Sequence, residues 1–250
     1  MLDTPALSLI VPLKDEASNV VAVVEEVAMV LRPACPHYEL ILVDDGSTDG
    51  TFEHVRRLQA ADPDHIVALR FTRNFGQSAA FTAGFAVARA PLVATMDGDL
   101  QNDPGDLPAL MALAASHDVV CGWRKTRQDA VLTRHVPSVV ANWLIGLVTG
   151  VRLHDNGCSL KVFRTAVVKP LHLRPGMHRY LPAIAGQLGG RVTEVVVNHR
   201  PRRFGSSKYG LSRTFRVMAD LMHLHRVMRE ALVPPPADAP LYEIAERLIH

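Results

Sequence analysis

Apolar runs alternate with amphipathic stretches through the first half of the chain. Apolar, β-rich runs lie at residues 7–13, 39–43, 66–71, 92–96 and 119–121. Stretches with helical spacing separate them, at residues 19–31, 51–61, 77–90 and 104–116. This order is typical of βαβ units around a mostly parallel sheet. We therefore predict an α/β fold with a mostly parallel central sheet flanked by helices.

The second half of the chain is less regular. Its pattern predicts a helix over residues 131–149, a strand over 159–163, a helix over 180–188 and a strand over 191–198. A loop over residues 200–210 precedes an amphipathic stretch at 211–232, a Pro-rich linker at 233–240 and a short terminal helix. We predict one large domain at residues 1–210. A C-terminal segment at residues 211–250 follows it and carries the amphipathic helix, the linker and the terminal helix.

Each predicted strand of the first half ends at a polar cluster. In open α/β sheets, ligands bind in the crevice outside the carboxyl ends of the strands. We therefore expect these clusters to converge on one crevice. They are Lys14-Asp15-Glu16, Asp44-Asp45-Gly46, Arg73-Asn74-Phe75-Gly76 and Asp97-Gly98-Asp99.

Composition narrows the class of protein. The 250 residues are 48% hydrophobic and 21% charged, which excludes disordered and fibrous classes of protein. The net charge is only +2, so the protein has no strong overall positive field that would attract nucleic acid. Cys35, Cys121 and Cys158 are far apart, so neither a zinc site nor a disulfide framework is indicated. The N-terminus lacks a basic segment typical of a signal peptide, and no run of about 18 apolar residues indicates a transmembrane helix. These features favour a cytoplasmic protein.

Two aspartate-rich segments carry candidate chemistry. Asp97 and Asp99, separated by one glycine, could hold a hard divalent cation against a diphosphate, or could belong to a loop of capping aspartates before the helix that starts at Pro104. The Asp45 carboxylate could accept a hydrogen bond from a nucleobase N–H or a ribose hydroxyl. The alternative for its segment is a turn with Asp49 as the helix N-cap. The first strand lacks a G-x-G-x-x-G turn, which disfavours a dinucleotide-binding Rossmann fold.

Taken together, the motifs resemble a known family over about residues 7–221. They are Ile10-Val-Pro12 with Glu16, residues 44–51, Arg73-Asn-Phe-Gly-Gln77, Met96-Asp-Gly-Asp-Leu-Gln101, Gly122-Trp-Arg124, Arg134 with Pro137-Ser138, His154-Asp-Asn-Gly-Cys158 and Arg203-Phe-Gly-Ser-Ser-Lys-Tyr-Gly210. The chain resembles family 2 glycosyltransferases with the GT-A fold, and within them the polyprenyl-phosphate hexose transferases of the dolichol-phosphate mannosyltransferase type. The resemblance implies metal-dependent, inverting transfer of a hexose from a UDP- or GDP-sugar to a polyprenyl phosphate, in the making of cell-envelope glycans.

The resemblance also implies roles for individual residues. Pro12, Glu16 and Asp45 would bind the nucleotide base and ribose, with Gln77 also on the donor side. Mg²⁺ or Mn²⁺ and the diphosphate would be held by Asp97, Asp99 and Gln101. Acceptor phosphate would be bound by Arg124, Arg134, Ser138 and Arg202, with Lys208 near the phosphates. Asp155 would shape the floor of the sugar site, where the alternative is a plain turn.

Two features depart from the family pattern. Leu13-Lys14-Asp15 replaces the usual aromatic residue and Asn between Pro12 and Glu16, and no pair of transmembrane helices follows Lys208. Residues 211–232 instead form a basic amphipathic stretch, which could lie on an anionic membrane surface or pack on its own domain, a membrane-protein partner or a second copy. Two rival functions stay open at this stage: transfer to a saccharide or another hydroxyl acceptor, and a non-catalytic subunit that binds nucleotide sugar.

Overall fold

The computed structural model describes residues 4–125, 145–201, 230–236 and 238–249. Strands and helices alternate in it, as the sequence pattern predicts. The described strands are β1 (Leu7–Leu13), β2 (Tyr38–Asp44), β3 (Ile66–Phe71), β4 (Leu92–Thr95), β5 (Val119–Trp123), β6 (Lys161–Arg164), β7 (Val192–Val196) and β8 (Ile244–Leu248).

The helices of the first half connect these strands. The described helices are α1 (Val20–Ala34), α2 (Thr51–Ala61), α3 (Gln77–Val87), α4 (Leu107–Leu113), α5 (Thr165–Val168) and α6 (Leu181–Gln187), with 3₁₀ turns at Pro104–Asp106 and Met177–Tyr180. Residues 145–149 are also helical.

The predicted Asp49 N-cap is one residue off, since Gly50 occupies that position with a φ of 92°. Asp49 still accepts from the Thr51 N–H at 3.0 Å, so it ties down the first turn of α2.

One sheet contains all eight described strands, in the order β7-β5-β6-β4-β1-β2-β3-β8. β1 is parallel to β2 and β4, β2 is parallel to β3, and β5 is parallel to β7. β6 runs antiparallel to β4 and β5, and β8 runs antiparallel to β3. The parallel block β4-β1-β2-β3 therefore presents the carboxyl ends of four adjacent strands at one edge.

Both faces of the central strands are buried, as expected for a parallel sheet covered by helices on each side. Ile10 and Ile41 face one core, which α3 covers, whereas Leu9 and Leu40 face the other, which α1 and α2 cover. α3 lies very close to β1, because a Cβ built on Gly84 would come within 2.6 Å of the Ile10 side chain. Glycine at this position lets α3 pack closely against β1.

The predicted short terminal helix is wrong, because residues 244–248 form β8. Ile244 and Leu248 lie four positions apart, which fits one face of a helix and also one face of a strand. β8 pairs with β3, which would otherwise be an open edge, and Tyr242 stacks on Phe71 with ring centroids 5.1 Å apart. Pairing with an exposed edge is a tertiary event that helical periodicity does not report.

Most of the predicted amphipathic helix lies outside the described residues, as does the boundary at residue 210, so both stay predictions. The last turn of that stretch is described at residues 230–232. Ala231 is buried, and its carbonyl accepts a hydrogen bond from the His172 N–H at 2.6 Å. No helix in the described part of the chain has the length and apolar character needed to cross a bilayer.

Candidate active site

The loops that follow β1 and β2 are joined by hydrogen bonds at the crevice edge of the sheet. Lys14 Nζ donates to the Gly46 carbonyl at 2.9 Å, and the Asp15 N–H donates to Ser47 Oγ at 2.9 Å. Gly46 has a φ of 67°, and a Cβ at this position would meet the Arg73 carbonyl carbon at 2.4 Å. The loop after β3 therefore also packs here, and the predicted convergence of the polar clusters is confirmed for β1, β2 and β3.

Asp45 organises the loop between β3 and α3. Its Oδ1 accepts from the Phe75 N–H at 2.6 Å and its Oδ2 accepts from the Gly76 N–H at 2.9 Å. Burial raises the pKa of Asp45, whereas these two N–H groups favour the charged form and oppose that effect. The carboxylate thus fixes the start of α3, including Gln77, whether or not it also meets a nucleotide.

The other two residues predicted to bind the base and ribose lie at the end of β1 and in the loop that follows it. Pro12 is half-buried within β1 and is paired in register with Val43 of β2. Glu16 starts the turn into α1, where its Oε2 accepts from Asn19 Nδ2 at 2.6 Å. The structure therefore places all three at the carboxyl ends of β1 and β2, while their contact with a nucleotide stays a prediction.

The segment after β4 brings the DxD motif to the same edge. Asp97 Oδ1 accepts from Gln77 Nε2 at 2.8 Å, and Asp99 Oδ1 accepts from the Gln101 N–H at 3.2 Å. Asp103 provides the helix cap, since its Oδ1 accepts from the Gly105 N–H at 2.9 Å. The capping alternative is therefore met by Asp103, and Asp97 and Asp99 are not needed for it.

The electrostatics of this pair favour a cation. Burial and the nearby Asp99 carboxylate raise the pKa of Asp97, while Ser159, Arg124 and Lys161 oppose the rise. The partly buried Asp97, the buried Asp99 and an adjacent amide oxygen fit Mg²⁺ or Mn²⁺, because such ions commonly take one or two carboxylates and complete their shell with substrate phosphates. Within the described ranges no group of three or more His, Cys, Asp or Glu residues could hold a metal ion.

Arg124 and Asp155 form a buried ion pair. Arg124 Nε donates to Asp155 Oδ2 at 2.7 Å and its Nη2 donates to Oδ1 at 3.0 Å. Their side chains are only 12% and 5% exposed. Although burial opposes its charge, the hydrogen bonds and charge of Asp155 raise the pKa of Arg124. Two predicted site residues from distant parts of the sequence thus act as one unit.

Lys161 is a site residue that sequence reasoning missed. It lies on β6 with a side chain almost fully buried, and its Nζ donates to the carbonyls of Asn156 and Cys158. No carboxylate among the residues described forms an ion pair with it. The signal in the sequence was a lysine between the apolar residues Leu160 and Val162.

Asn102 is a second residue that was missed. Its Oδ1 accepts from the Asp97 N–H at 3.3 Å and from Ser159 Oγ at 2.7 Å, which ties the DxD loop to the chain before β6. The remaining predicted residues, namely Arg134, Ser138, Arg202 and Lys208, lie outside the described residues.

Comparisons with known proteins identify the family of the chain. Residues 8–171 match glycosyl transferase family 2. The chain is 46% identical over 227 residues to the dodecaprenyl-phosphate galacturonate synthase of Rhizobium johnstonii, covering 89% of this chain and 67% of that protein. It is 36% identical to the undecaprenyl-phosphate 4-deoxy-4-formamido-L-arabinose transferase of Yersinia pestis, covering 86% of this chain and 66% of that protein. The chain thus spans about two thirds of the length of these relatives.

A solved structure shares the architecture. Glucosyl-3-phosphoglycerate synthase from Mycobacterium tuberculosis, in complex with Mn²⁺, UDP and phosphoglyceric acid, superposes with a TM-score of 0.64 at 17% identity, covering 93% of this chain and 80% of that one. At this identity the likeness supports the fold alone. The family match, the two relatives and the sheet with its DxD loop agree: the chain belongs to glycosyl transferase family 2 and is a glycosyltransferase with the GT-A fold.

Proposed function

We propose that the chain transfers a sugar from a nucleotide-diphospho-sugar to a polyprenyl phosphate, with a divalent cation and with inversion at the anomeric carbon. The observation that carries the proposal is the pair of the partly buried Asp97 and the buried Asp99 at the carboxyl end of β4, electrostatically linked to the Arg124–Asp155 ion pair. Both relatives named above are described as acting on a polyprenyl phosphate, which supports this acceptor class.

The donor half of the site is assigned to the edge formed by β1, β2 and β4. Pro12, Glu16 and Asp45 are proposed to hold the base and ribose of UDP or GDP. Gln77 orients Asp97 through its 2.8 Å hydrogen bond. When bound, a Mg²⁺ or Mn²⁺ ion at Asp97, Asp99 and Gln101 would neutralise charge that develops on the leaving diphosphate.

A phosphate acceptor suits the chemistry of the described carboxylates. The second pKa of a phosphate monoester is about 6, so its oxygen is already largely deprotonated at neutral pH and needs no general base. A sugar hydroxyl would need one. Asp155 is a poor base, because both of its oxygens accept from the Arg124 guanidinium. This observation favours the phosphate acceptor over the hydroxyl acceptor.

The acceptor phosphate is assigned to the basic residues. Arg134, Ser138, Arg202 and Lys208 are proposed to bind it together with Arg124. Because Asp155 engages Nε and Nη2 of Arg124, the Nη1 amino group is the one proposed to meet the phosphate; it makes no hydrogen bond with the residues that the structure describes. Such preorganised cations position an anionic nucleophile with little reorganisation during the reaction.

The acceptor class also implies contact with a membrane. We propose that the protein meets its lipid at the cytoplasmic face, through the basic amphipathic stretch at residues 211–232 or through a membrane-protein partner or second copy. Co-sedimentation with vesicles that contain anionic lipid, compared with neutral vesicles, tests the first of these routes. Binding to anionic vesicles that persists after Arg213, Arg216, Arg226 and Arg229 are all replaced by glutamine would contradict it.

The reaction is tested by release of nucleoside diphosphate from a panel of UDP- and GDP-sugars, with Mg²⁺ or Mn²⁺ and with or without a short polyprenyl phosphate. We expect release from one donor that requires both the metal and the lipid phosphate. Release stimulated by a saccharide but not by the lipid phosphate would favour the hydroxyl-acceptor enzyme. Donor binding without stimulated release by any acceptor would favour a non-catalytic nucleotide-sugar subunit.

A further inference from the structure

The chain that leaves β7 runs back along the DxD loop. The Asn198 N–H donates to Asp106 Oδ2 at 2.8 Å, and Asn198 Nδ2 donates to Asp106 Oδ1 at 2.9 Å. His199 forms an antiparallel bridge with Asn102. Three consecutive residues, of which Arg200 is the last, therefore contact the segment that follows Asp99.

Arg200 makes the most extensive of these contacts. Its N–H donates to the Gln101 carbonyl at 2.9 Å, its Nη1 donates to Glu26 Oε2 at 2.5 Å, and its Nη2 lies 2.8 Å from Asp103 Oδ1. Glu26 belongs to α1 and Asp103 caps the 3₁₀ turn at Pro104–Asp106. One side chain thus connects α1, the DxD loop and the end of β7.

We propose that Arg200 is a positioning residue that holds the loop of residues 97–103 in the geometry needed for a metal-bound nucleoside diphosphate. The proposal rests on the proposed function for its ligand, but the contacts themselves do not. Gln101 and Asp99 are joined by the 3.2 Å hydrogen bond described above, so displacement of the Gln101 backbone would move the Asp99 carboxylate.

A planar guanidinium can bind two carboxylates at once, whereas an ammonium is a single point charge. Arg200→Lys should therefore retain one of the two ion pairs and fall between the wild type and Arg200→Ala. Arg56 offers a matched control, since it also joins two segments through a two-point contact, with Glu246 of β8, at the opposite edge of the sheet.

The first measurement is hydrogen–deuterium exchange of a peptide that covers residues 97–103 in the full chain without ligand. We expect Arg200→Ala to speed its exchange roughly tenfold, because local opening loses charge-assisted hydrogen bonds, while Arg56→Ala leaves it unchanged. Unchanged exchange in Arg200→Ala, or an equal effect of Arg56→Ala, would overturn the proposal. This arm needs no substrate.

The second measurement is the affinity for UDP and for GDP in the presence of Mn²⁺, by calorimetry, with the thermal midpoint of each ligand-free variant measured in parallel. We expect roughly tenfold weaker binding in Arg200→Ala and intermediate binding in Arg200→Lys, beyond any change seen in Arg56→Ala. Wild-type affinity in Arg200→Ala would overturn the proposal. A wild-type protein that binds neither nucleotide would contradict the proposed function, and the exchange experiment would still decide the role of Arg200.

Discussion

Removal of Asp155 leaves a buried cation without its partner. In the folded protein Asp155 accepts two hydrogen bonds from the Arg124 guanidinium, at 2.7 and 3.0 Å, and both side chains are at least seven-eighths buried. In Asp155→Ala the guanidinium stays inside the site with neither the charge nor the acceptors that offset its loss of water. The dominant effect is therefore the unpaired charge, and the lost attraction is secondary.

Breaking one partner of such a pair costs about 3–5 kcal/mol of unfolding free energy. For a chain of this size, each kcal/mol lowers the thermal midpoint by about 2–4 °C, so Asp155→Ala should lower it by roughly 10 °C. Replacing both partners with apolar side chains of similar size removes the unpaired charge as well. We therefore expect the double variant Arg124→Met, Asp155→Leu to be more stable than either single variant.

The assay is urea unfolding followed by circular dichroism. The double-mutant cycle consists of the wild type, Arg124→Met, Asp155→Leu and the double variant, with Asp155→Ala measured beside it and Arg56→Ala as a control. The control should change little, because Arg56 pairs with Glu246 at the surface. The expected coupling energy between Arg124 and Asp155 is on the order of 2 kcal/mol or more. A loss below about 1 kcal/mol in Asp155→Ala, or additive effects in the double variant, would refute the reasoning.

Three further predictions follow from the site and its loops. Asp99→Ala should abolish sugar transfer and leave the unfolding midpoint within about 2 °C of the wild type, because its role is to hold a cation; unchanged turnover would contradict the metal assignment. Gly46→Ala should cost more than about 2 kcal/mol in urea unfolding, since a φ of 67° is strained for alanine and the new Cβ would meet Arg73. Gly50→Ala, where φ is 92° but the nearest atom lies at 4.0 Å, isolates the backbone part and should cost clearly less. Burial raises the pKa of Cys121 from 9.0 to about 12, so the unfolded chain loses this proton first and the free energy of unfolding should fall as pH rises from about 9 towards 12. That alkaline decline should be shallower in Cys121→Ala, and an identical slope would contradict the buried thiol.

The local sequence pattern was enough to predict the strands and helices of the first half of the chain. Three predicted elements match their observed bounds, at residues 7–13, 51–61 and 66–71, and each is followed directly by a polar residue. The prediction of a terminal helix was wrong because the pattern there is ambiguous. Ile244 and Leu248 satisfy both periods, and only the open edge of β3 selects the strand.

Some residues of the candidate site could likewise be identified from the sequence, and others could not. The aspartate motifs and their place after strands are local features, so Asp45, Asp97 and Asp99 could be identified as members of one crevice before any contact was known. Lys161 could not, because a lysine in a short strand has no assigned surroundings until β4 and β5 pair on either side of it. Asp103 was separated from the metal pair only by its hydrogen bond to Gly105.

By itself, the sequence determined the alternation of elements, the α/β class and the resemblance to family 2 glycosyltransferases, since these depend on side-chain order along the chain. Tertiary structure alone decided the Arg124–Asp155 pair, the burial of Lys161 and the contacts of Arg200 with Glu26 and Asp103. The ion pairs join residues that are far apart in sequence, and Arg200 lies 174 positions from Glu26. Lys161 becomes buried because β4 and β5 pair on either side of its strand. Charge pairing at that range depends on which strands become neighbours, and strand order is set by the packing of the whole sheet.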